Sequence, residues 1–564
     1  MPARDPLAIV REYHEQTKHH LNRFARSPGY LDWATQPAPF RTFEGCRRVD
    51  LVAPLREAET LAQPGATPWQ RIGYDDLFSR DASPGLAPGL LPVSVFLRYS
   101  LGLSAWKQAG PTKWALRVNP SSGNLHPTEG YIVCGPGVAG IDAGVYHYTP
   151  DVHGLEERCV FESTAWEQAA KGLPSGGFIA ALTSIHWREA WKYGERAFRY
   201  CQHDVGHAVA AMRMAAALVG WTCVIAPEWP SSALAALLGV DREADFRGAE
   251  PEEPACAMIV SPGRCGLLPP AENGPVRISP ALVDAAREGR WMGHASRLSA
   301  DRVQWDWIDA AAEASRETGT TGAAILPTLM PAASRNAGSM PAAAPLLLGR
   351  RSAVSMDGTT VIDLERFAAI LRRSLTGIGP PFDALWWTPR IHPVLFVHRV
   401  DGLAPGLYAL PRTEEGRTAL QTGLRPAFAW ERPAGVPDDL PLFLLEPADC
   451  RRVARQLSCG QDIAADGCFS LGMVAEFDAA LAEGGPAAYR RIFWEAGAIG
   501  QALYLAAEAV GVRGTGIGCF FDDGVHELLG ISDHRLQSLY HFTVGGPVDD
   551  PRLTTHPGYP WDKP

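Results

Sequence analysis

A chain of 564 residues is too long for one ordinary core, so two or more domains are expected. Hydrophobic residues at 46% and charged residues at 20% are the balance of a soluble globular protein, and 62 acidic against 52 basic residues give no footing for nucleic acid or an anionic membrane. No apolar run approaches bilayer length, and the N-terminus leads into charged sequence rather than a signal-peptide core. The 11 cysteines are odd in number and form no Cys-x-x-Cys pair, so the reading is a cytoplasmic protein with reduced thiols and no metal site.

Residues 1–80 read as an N-terminal arm, solvated or packed on a domain. His14-Glu15 with Lys18 misses the His-Glu-x-x-His zinc helix by its fifth position, and adjacent His19 and His20 would diverge on a helix. A first domain spans 81–270. Its pattern predicts a helix from Val93 to Trp106, strands at Tyr131–Cys134 and Val145–Tyr148, and a helix from Ala197 to Val219 buried on most sides, with Met212 and Met214 as core. Between the first helix and the first strand lies Arg117-Val118-Asn119-Pro120-Ser121-Ser122-Gly123-Asn124-Leu125-His126-Pro127. Prolines bracket small polar residues there, and Gly123 has no Cβ to hold a flat ligand off the backbone. Residues 271–345 are rich in Ala, Pro and Gly and read as a linker.

The chain then repeats itself. Phe178, Arg199, Asp204, Gly206, Gly220 and Leu237-Leu238-Gly239 align with Phe469, Arg490, Glu495, Gly497, Gly511 and Leu528-Leu529-Gly530 at one offset of 291 (530 − 239). Leu97–Leu101 aligns with Leu371–Leu375 at an offset of 274 (371 − 97). A second copy of the domain therefore occupies 346–564.

The copies differ where chemistry would sit. The second carries Arg350-Arg351-Ser352, whose guanidinium forks suit a phosphate, and Arg513-Gly514-Thr515-Gly516-Ile517-Gly518-Cys519. In the first, Asp76-Leu77-Phe78 and Trp221–Trp229 stand at those places. The second copy's counterpart of the Pro-Ser-Ser-Gly loop, Trp386-Trp387-Thr388-Pro389-Arg390-Ile391-His392-Pro393, keeps His-Pro but trades the small residues for two tryptophans.

These motifs resemble the nitroreductase superfamily, and most closely its SagB-type azoline (thiazole/oxazole) dehydrogenases. The resemblance implies an α+β fold in two tandem nitroreductase-like domains, each a mainly antiparallel sheet flanked by helices, together forming an intramolecular pseudo-dimer. It implies one FMN per chain, held by Arg117, Pro120, Ser121, Ser122, Gly123 and Asn124 of the first copy and by Arg350, Arg351, Ser352, Gly516, Ile517 and Gly518 of the second. Lys192 and Tyr193 match the family's Lys-Tyr element, and Lys192, with its pKa lowered by desolvation and neighbouring cations, would act as base during hydride transfer to FMN. The implied substrate is an azoline or similar ring, on a small molecule or on a modified peptide within a peptide-modifying complex. An NAD(P)H-dependent reductase of nitro, quinone or enone compounds is the alternative enzyme, and a flavin-less assembly module the non-enzyme.

Overall fold

The computed structural model describes residues 4–62, 67–78, 85–227, 229–263, 279–319, 341–376 and 379–562. The repeat is visible residue for residue. Helix Ala197–Leu218 answers helix Ala488–Ala509 at both ends with the offset of 291, and helix Leu90–Arg98 answers Leu364–Arg372 with the offset of 274. The two long helices pack on each other, and every residue of Ala197–Leu218 is buried. A Cβ on Gly206 would lie 2.2 Å from the Trp494 carbonyl oxygen, and one on Gly497 would lie 2.2 Å from that of His203. The paired glycines of the repeat are thus the crossing point of the pseudo-dimer, where only glycine lets the backbones meet.

Among the described residues the first copy has an eight-stranded sheet and the second a six-stranded one. In the first, the order runs Arg290–Trp291, Gly154–Val160, Gly144–Thr149, Thr128–Cys134, Phe178–Ser184, Glu253–Pro262, Trp221–Ile225, with Arg48–Asp50 also paired to Gly154–Val160. In the second it runs Phe443–Pro447, Gly406–Ala409, Ile391–Val397, Phe469–Glu476, Leu536–Gly545, Arg513–Ile517, and every one of these pairings in both sheets is antiparallel. Helices flank both sheets, and one continuous apolar core runs through the two copies. The fold is α+β in tandem.

Two segments depart from the sequence reading, and for the arm the structure selects one of its two alternatives. The first helix ends at Arg98, not Trp106, because the chain turns at Leu101-Gly102 and continues as strand Leu103–Ala109. The arm is packed rather than solvated. Helix Pro6–Gln16, capped by the Asp5 carboxylate, places Tyr13 to donate to the Glu195 carbonyl at 2.6 Å and His14 against Tyr489 and Gln537, so it touches both copies. Within the expected linker, Pro280–Glu288 and Asp306–Ala314 are amphipathic helices with buried Leu282, Val283, Ile308 and Ala311, and Arg290–Trp291 extends the first sheet. The linker's richest Ala/Pro/Gly runs, at 320–340, lie outside the described residues.

The C-terminal strand Thr554–Pro557 returns to the first copy and pairs with Leu103–Ala109. Beyond it, Tyr559 Oη donates to the Pro150 carbonyl at 2.6 Å and Asp562 pairs with Arg98 at 2.8 Å. The segment leading into this clasp, with Val548, Asp549 and Thr555, lines the cavity described next.

Candidate functional site

A cavity of about 890 Å³ opens between the copies. Its walls bring together the loop of the first copy from Arg117 to Asn124, the Arg350-Arg351-Ser352 turn, the strand end Gly516-Ile517-Gly518 and the ring of Tyr193. These segments are hundreds of residues apart in sequence, and one cavity collects all of them except Lys192. Lys192 stands just behind its wall, with Nζ 3.2 Å from where a Gly123 Cβ would be.

The loop is fixed from below. Asp204, on the long helix, accepts from the Ser122 amide at 3.0 Å and the Ser122 hydroxyl at 3.1 Å, and Ser121 Oγ accepts from the His126 amide at 2.8 Å. Asn124, at φ +60, donates through Nδ2 to the Ala115 carbonyl at 2.9 Å. Arg117 spends two of its nitrogens on the Thr128 and Pro39 carbonyls and keeps its buried Nε unpartnered. Arg350 ties the second copy to this loop by donating to the Val118 and Arg117 carbonyls at 3.0 and 3.2 Å. Ser352 Oγ and the Gly516 amide both meet Tyr504 Oη, each at 2.9 Å.

The glycines serve a different packing from the one their motif suggests. A Cβ on Gly123 would stand 2.5 Å from Tyr193 Oη, one on Gly516 1.9 Å from Tyr540 Oη, and one on Gly518 2.4 Å from the Tyr200 ring. Each glycine therefore makes room for a tyrosine that itself lines the cavity. Gly123 is needed twice over, since its φ is +57.

Four cations, Lys107, Arg350, Arg351 and Arg513, gather at one end of the cavity. Burial and the neighbouring Arg350 push Arg351 down to about 10, and burial with the Arg351 charge lowers Lys107. Arg350 Nη1 is buried without a partner. Glu508 and Asp549 answer part of this charge, through Arg513 at 3.4 and 3.1 Å. Mutually repelling cations with an orphaned guanidinium nitrogen suit a dianionic phosphate. The rest of the cavity, ringed by Tyr193, Tyr200, Tyr504 and Tyr540, suits a flat heteroaromatic ring, so the residues present fit FMN.

Lys192 and Tyr193 close helix His186–Tyr193, and the Tyr193 and Tyr200 rings meet edge-on at 4.7 Å. The charge beside Lys192 is an acid, Glu189, not the cations expected from the sequence. Both Glu189 oxygens are buried without a hydrogen-bond partner, and burial with the nearby Asp204 charge holds its carboxyl well above the usual range. Burial likewise raises Asp204 to about 7. Sequence reasoning missed Glu189, Tyr200, His207, Tyr504, Tyr540, Lys107 and Arg513 as site residues. Only Arg513, inside the quoted glycine motif, and Asp204, an acid in both copies, carried a signal.

Residues 425–546, in the second copy, match the nitroreductase family model. The trifolitoxin-processing protein TfxB of Rhizobium leguminosarum is 37% identical over 109 residues, which are 18% of this chain and 29% of that protein. MJ1384 of Methanocaldococcus jannaschii is 29% identical over 106 residues, 18% of this chain and 52% of that protein. The chain thus spans about half of one of these relatives and less than a third of the other. A putative nitroreductase from Anabaena variabilis superposes over 96% of this chain and 99% of its own, with a TM-score of 0.61 at 21% identity. The chain carries a nitroreductase-family domain within a tandem nitroreductase-like fold.

Proposed function

We propose that this protein is an FMN-dependent oxidoreductase of the nitroreductase superfamily, holding one FMN per chain, and that it acts as a SagB-type dehydrogenase on an azoline or similar ring. The observation that carries the reading is the cavity of about 890 Å³ in which the Ser-rich loop of one copy faces the cation cluster and glycine strand of the other. Arg350, Arg351, Arg513 and Lys107 would hold the phosphate, and the loop from Pro120 to Asn124 with Gly516 to Gly518 would flank the ring. FMN supplies the two-electron acceptor for a hydride. The protein's task is then the proton.

Lys192 and Tyr193 stand where the Ser-rich loop meets the cavity. Tyr193 Oη, which lies in the cavity wall, orients the ring and relays its proton to Lys192 Nζ just behind that wall. Behind Lys192, burial raises both Glu189 and Asp204, and Asp204, at about 7, supplies a carboxyl able to exchange a proton near neutrality. The name of TfxB, a trifolitoxin-processing protein, supports a substrate within a processing pathway, free or attached to a modified peptide.

Lys192→Ala tests the dehydrogenase reading. FMN should stay bound and reducible by dithionite, while thiazoline oxidation falls by roughly 10²–10⁴-fold, the usual span for general acid–base catalysis. Quinone reduction, which draws its protons from water, should be largely spared. Thiazoline oxidation at the wild-type rate would remove Lys192 as the base; equal loss of quinone reduction would point to the generic reductase instead.

A further inference from the structure

Sixty residues apart in sequence, Cys459 and Cys519 come together with their sulfurs 2.8 Å apart. Among the described cysteines only these two and Cys46 are half-buried; the rest are buried. Cys519 directly follows Gly518 and lines the large cavity, as does Gln461, whose side-chain amide bonds the Ser458 and Cys519 carbonyls and so staples the two cysteine segments together. Cys459 is held at φ +56, a left-handed backbone that a branched or bulky residue there would resist. His19 of the N-terminal arm completes the setting. Its Nδ1 accepts from the Ala25 amide at 2.9 Å, which leaves the proton on Nε2, facing Cys519. Arg196 adds positive charge from the other side, with Nη2 3.3 Å from the Gly518 carbonyl, while Asp522 neutralises it in part at 2.8 Å.

We infer that Cys459 and Cys519 are a redox-active dithiol in the wall of the cavity, closing reversibly to a disulfide by exchange with a low-molecular-weight disulfide such as oxidised glutathione. Cys519 is the attacking sulfur, because hydrogen bonds from Cys459 and His19 hold its thiol below the ordinary range, while the same contact and burial push Cys459 up. The Cys519 thiolate attacks one sulfur of the external disulfide, forms a mixed disulfide and expels one thiolate. Cys459 then gives up its proton and attacks Cys519 Sγ, forming the Cys459–Cys519 bond and expelling the second thiolate, which the proton neutralises. Two protein thiols are oxidised to one disulfide, and one external disulfide is reduced to two thiols. The new bond would lock the Gly516–Cys519 strand end to the 458–461 turn, fixing one wall of the cavity.

The test is peptide mapping of the full chain after incubation with glutathione disulfide and blocking of remaining thiols. Cys459 and Cys519 fall in separate tryptic peptides, 456–490 and 514–535. The wild type should give these two cross-linked, and dithiothreitol should release them. Cys459→Ser should stop at glutathione on Cys519, and Cys519→Ser should leave Cys459 unmodified. At pH 6 iodoacetamide should label Cys519 at least about tenfold faster than Cys46, whose thiol burial raises to about 11. Free thiols at both positions after glutathione disulfide, or glutathione on Cys46 as readily as on Cys519, would overturn the inference.

Discussion

The pseudo-twofold axis of the tandem fold generates two equivalent places, and the chain treats them in opposite ways. One is the cavity of about 890 Å³; its mate, lined by Ile225, Ala226, Trp386, Trp387, Arg491 and Trp494, retains about 20 Å³. Tyr200 of the open site is replaced at the offset of 291 by Arg491, which lies 4.6 Å from the Trp386 ring and pairs with Glu317. Tyr504 is replaced by Arg213, paired bidentately with Asp383 at 2.7 and 2.8 Å. Where Arg350, Arg351 and Ser352 gather positive charge, the mate has Phe78 under Arg373 at 3.7 Å, and Arg373 spends its charge on Asp75. Even the shared acid differs: Asp204 is answered by serines of the loop, with no cation paired to it, whereas Glu495 accepts from the Arg390 amide at 3.0 Å and pairs with Arg412. The same backbone scaffold is thus a binding site when its charges are left unmatched and its walls are tyrosines. It becomes core when tryptophans fill it and every charge is paired.

That contrast can be broken from the filled side first. Trp387→Ala removes a buried ring from the mate and should cost about 3–5 kcal/mol of stability, read by denaturant unfolding, while leaving bound FMN per folded chain unchanged. Uptake of a second FMN by this variant would mean that shape alone, not the cation cluster, separates the two places.

From the open side, Arg351→Ala should weaken FMN binding by roughly 1.5–3 kcal/mol, the value of a hydrogen bond to a charged group. Gly123→Ala should weaken it too, although it lies in the other copy, because its Cβ meets Tyr193 at 2.5 Å in a backbone that disfavours it. Titration of the apo-protein with FMN reads both. A response to only one of them, with both variants folded, would separate the halves that the cavity joins.

The finest distinction is between the two acids. Burial raises Asp204 from 3.8 to about 7, so the folded state holds its proton more tightly than the unfolded chain does. Its stabilising effect is full below 3.8 and is lost as pH rises through about 7, with a slope of at most about 1.4 kcal/mol per pH unit. Asp204→Asn, which keeps an acceptor for Ser122, should flatten this fall in Tm relative to the wild type. Equal slopes in the two proteins would contradict the buried, unpaired carboxyl.

Much of this was legible in the sequence, for a physical reason. The offset of 291 runs through Gly206 and Gly497 because the helix crossing tolerates no Cβ, and a constraint that strict leaves a mark at a fixed position in both copies. The loop from Pro120 to Asn124 and the Arg350–Ser352 turn were likewise marked by unusual local composition, and the structure brings them to one cavity. What escaped notice depends on distance. Lys107, Tyr504, Tyr540 and the Cys459–Cys519 pair are ordinary residues in ordinary elements until folding brings them together. The helices Pro280–Glu288 and Asp306–Ala314 are alanine-rich and so share the composition of a linker. Apolar residues recur from Val93 past the turn at Leu101-Gly102 as far as Trp106, so their pattern alone does not mark where the helix gives way to a strand.

If the two copies share one working site, each chain holds one FMN. Cofactor released by heat from purified protein and quantified against polypeptide should give a ratio approaching one that does not rise on reconstitution with excess FMN. A ratio approaching two would restore the tryptophan-filled mate to function and contradict the division of labour between the copies.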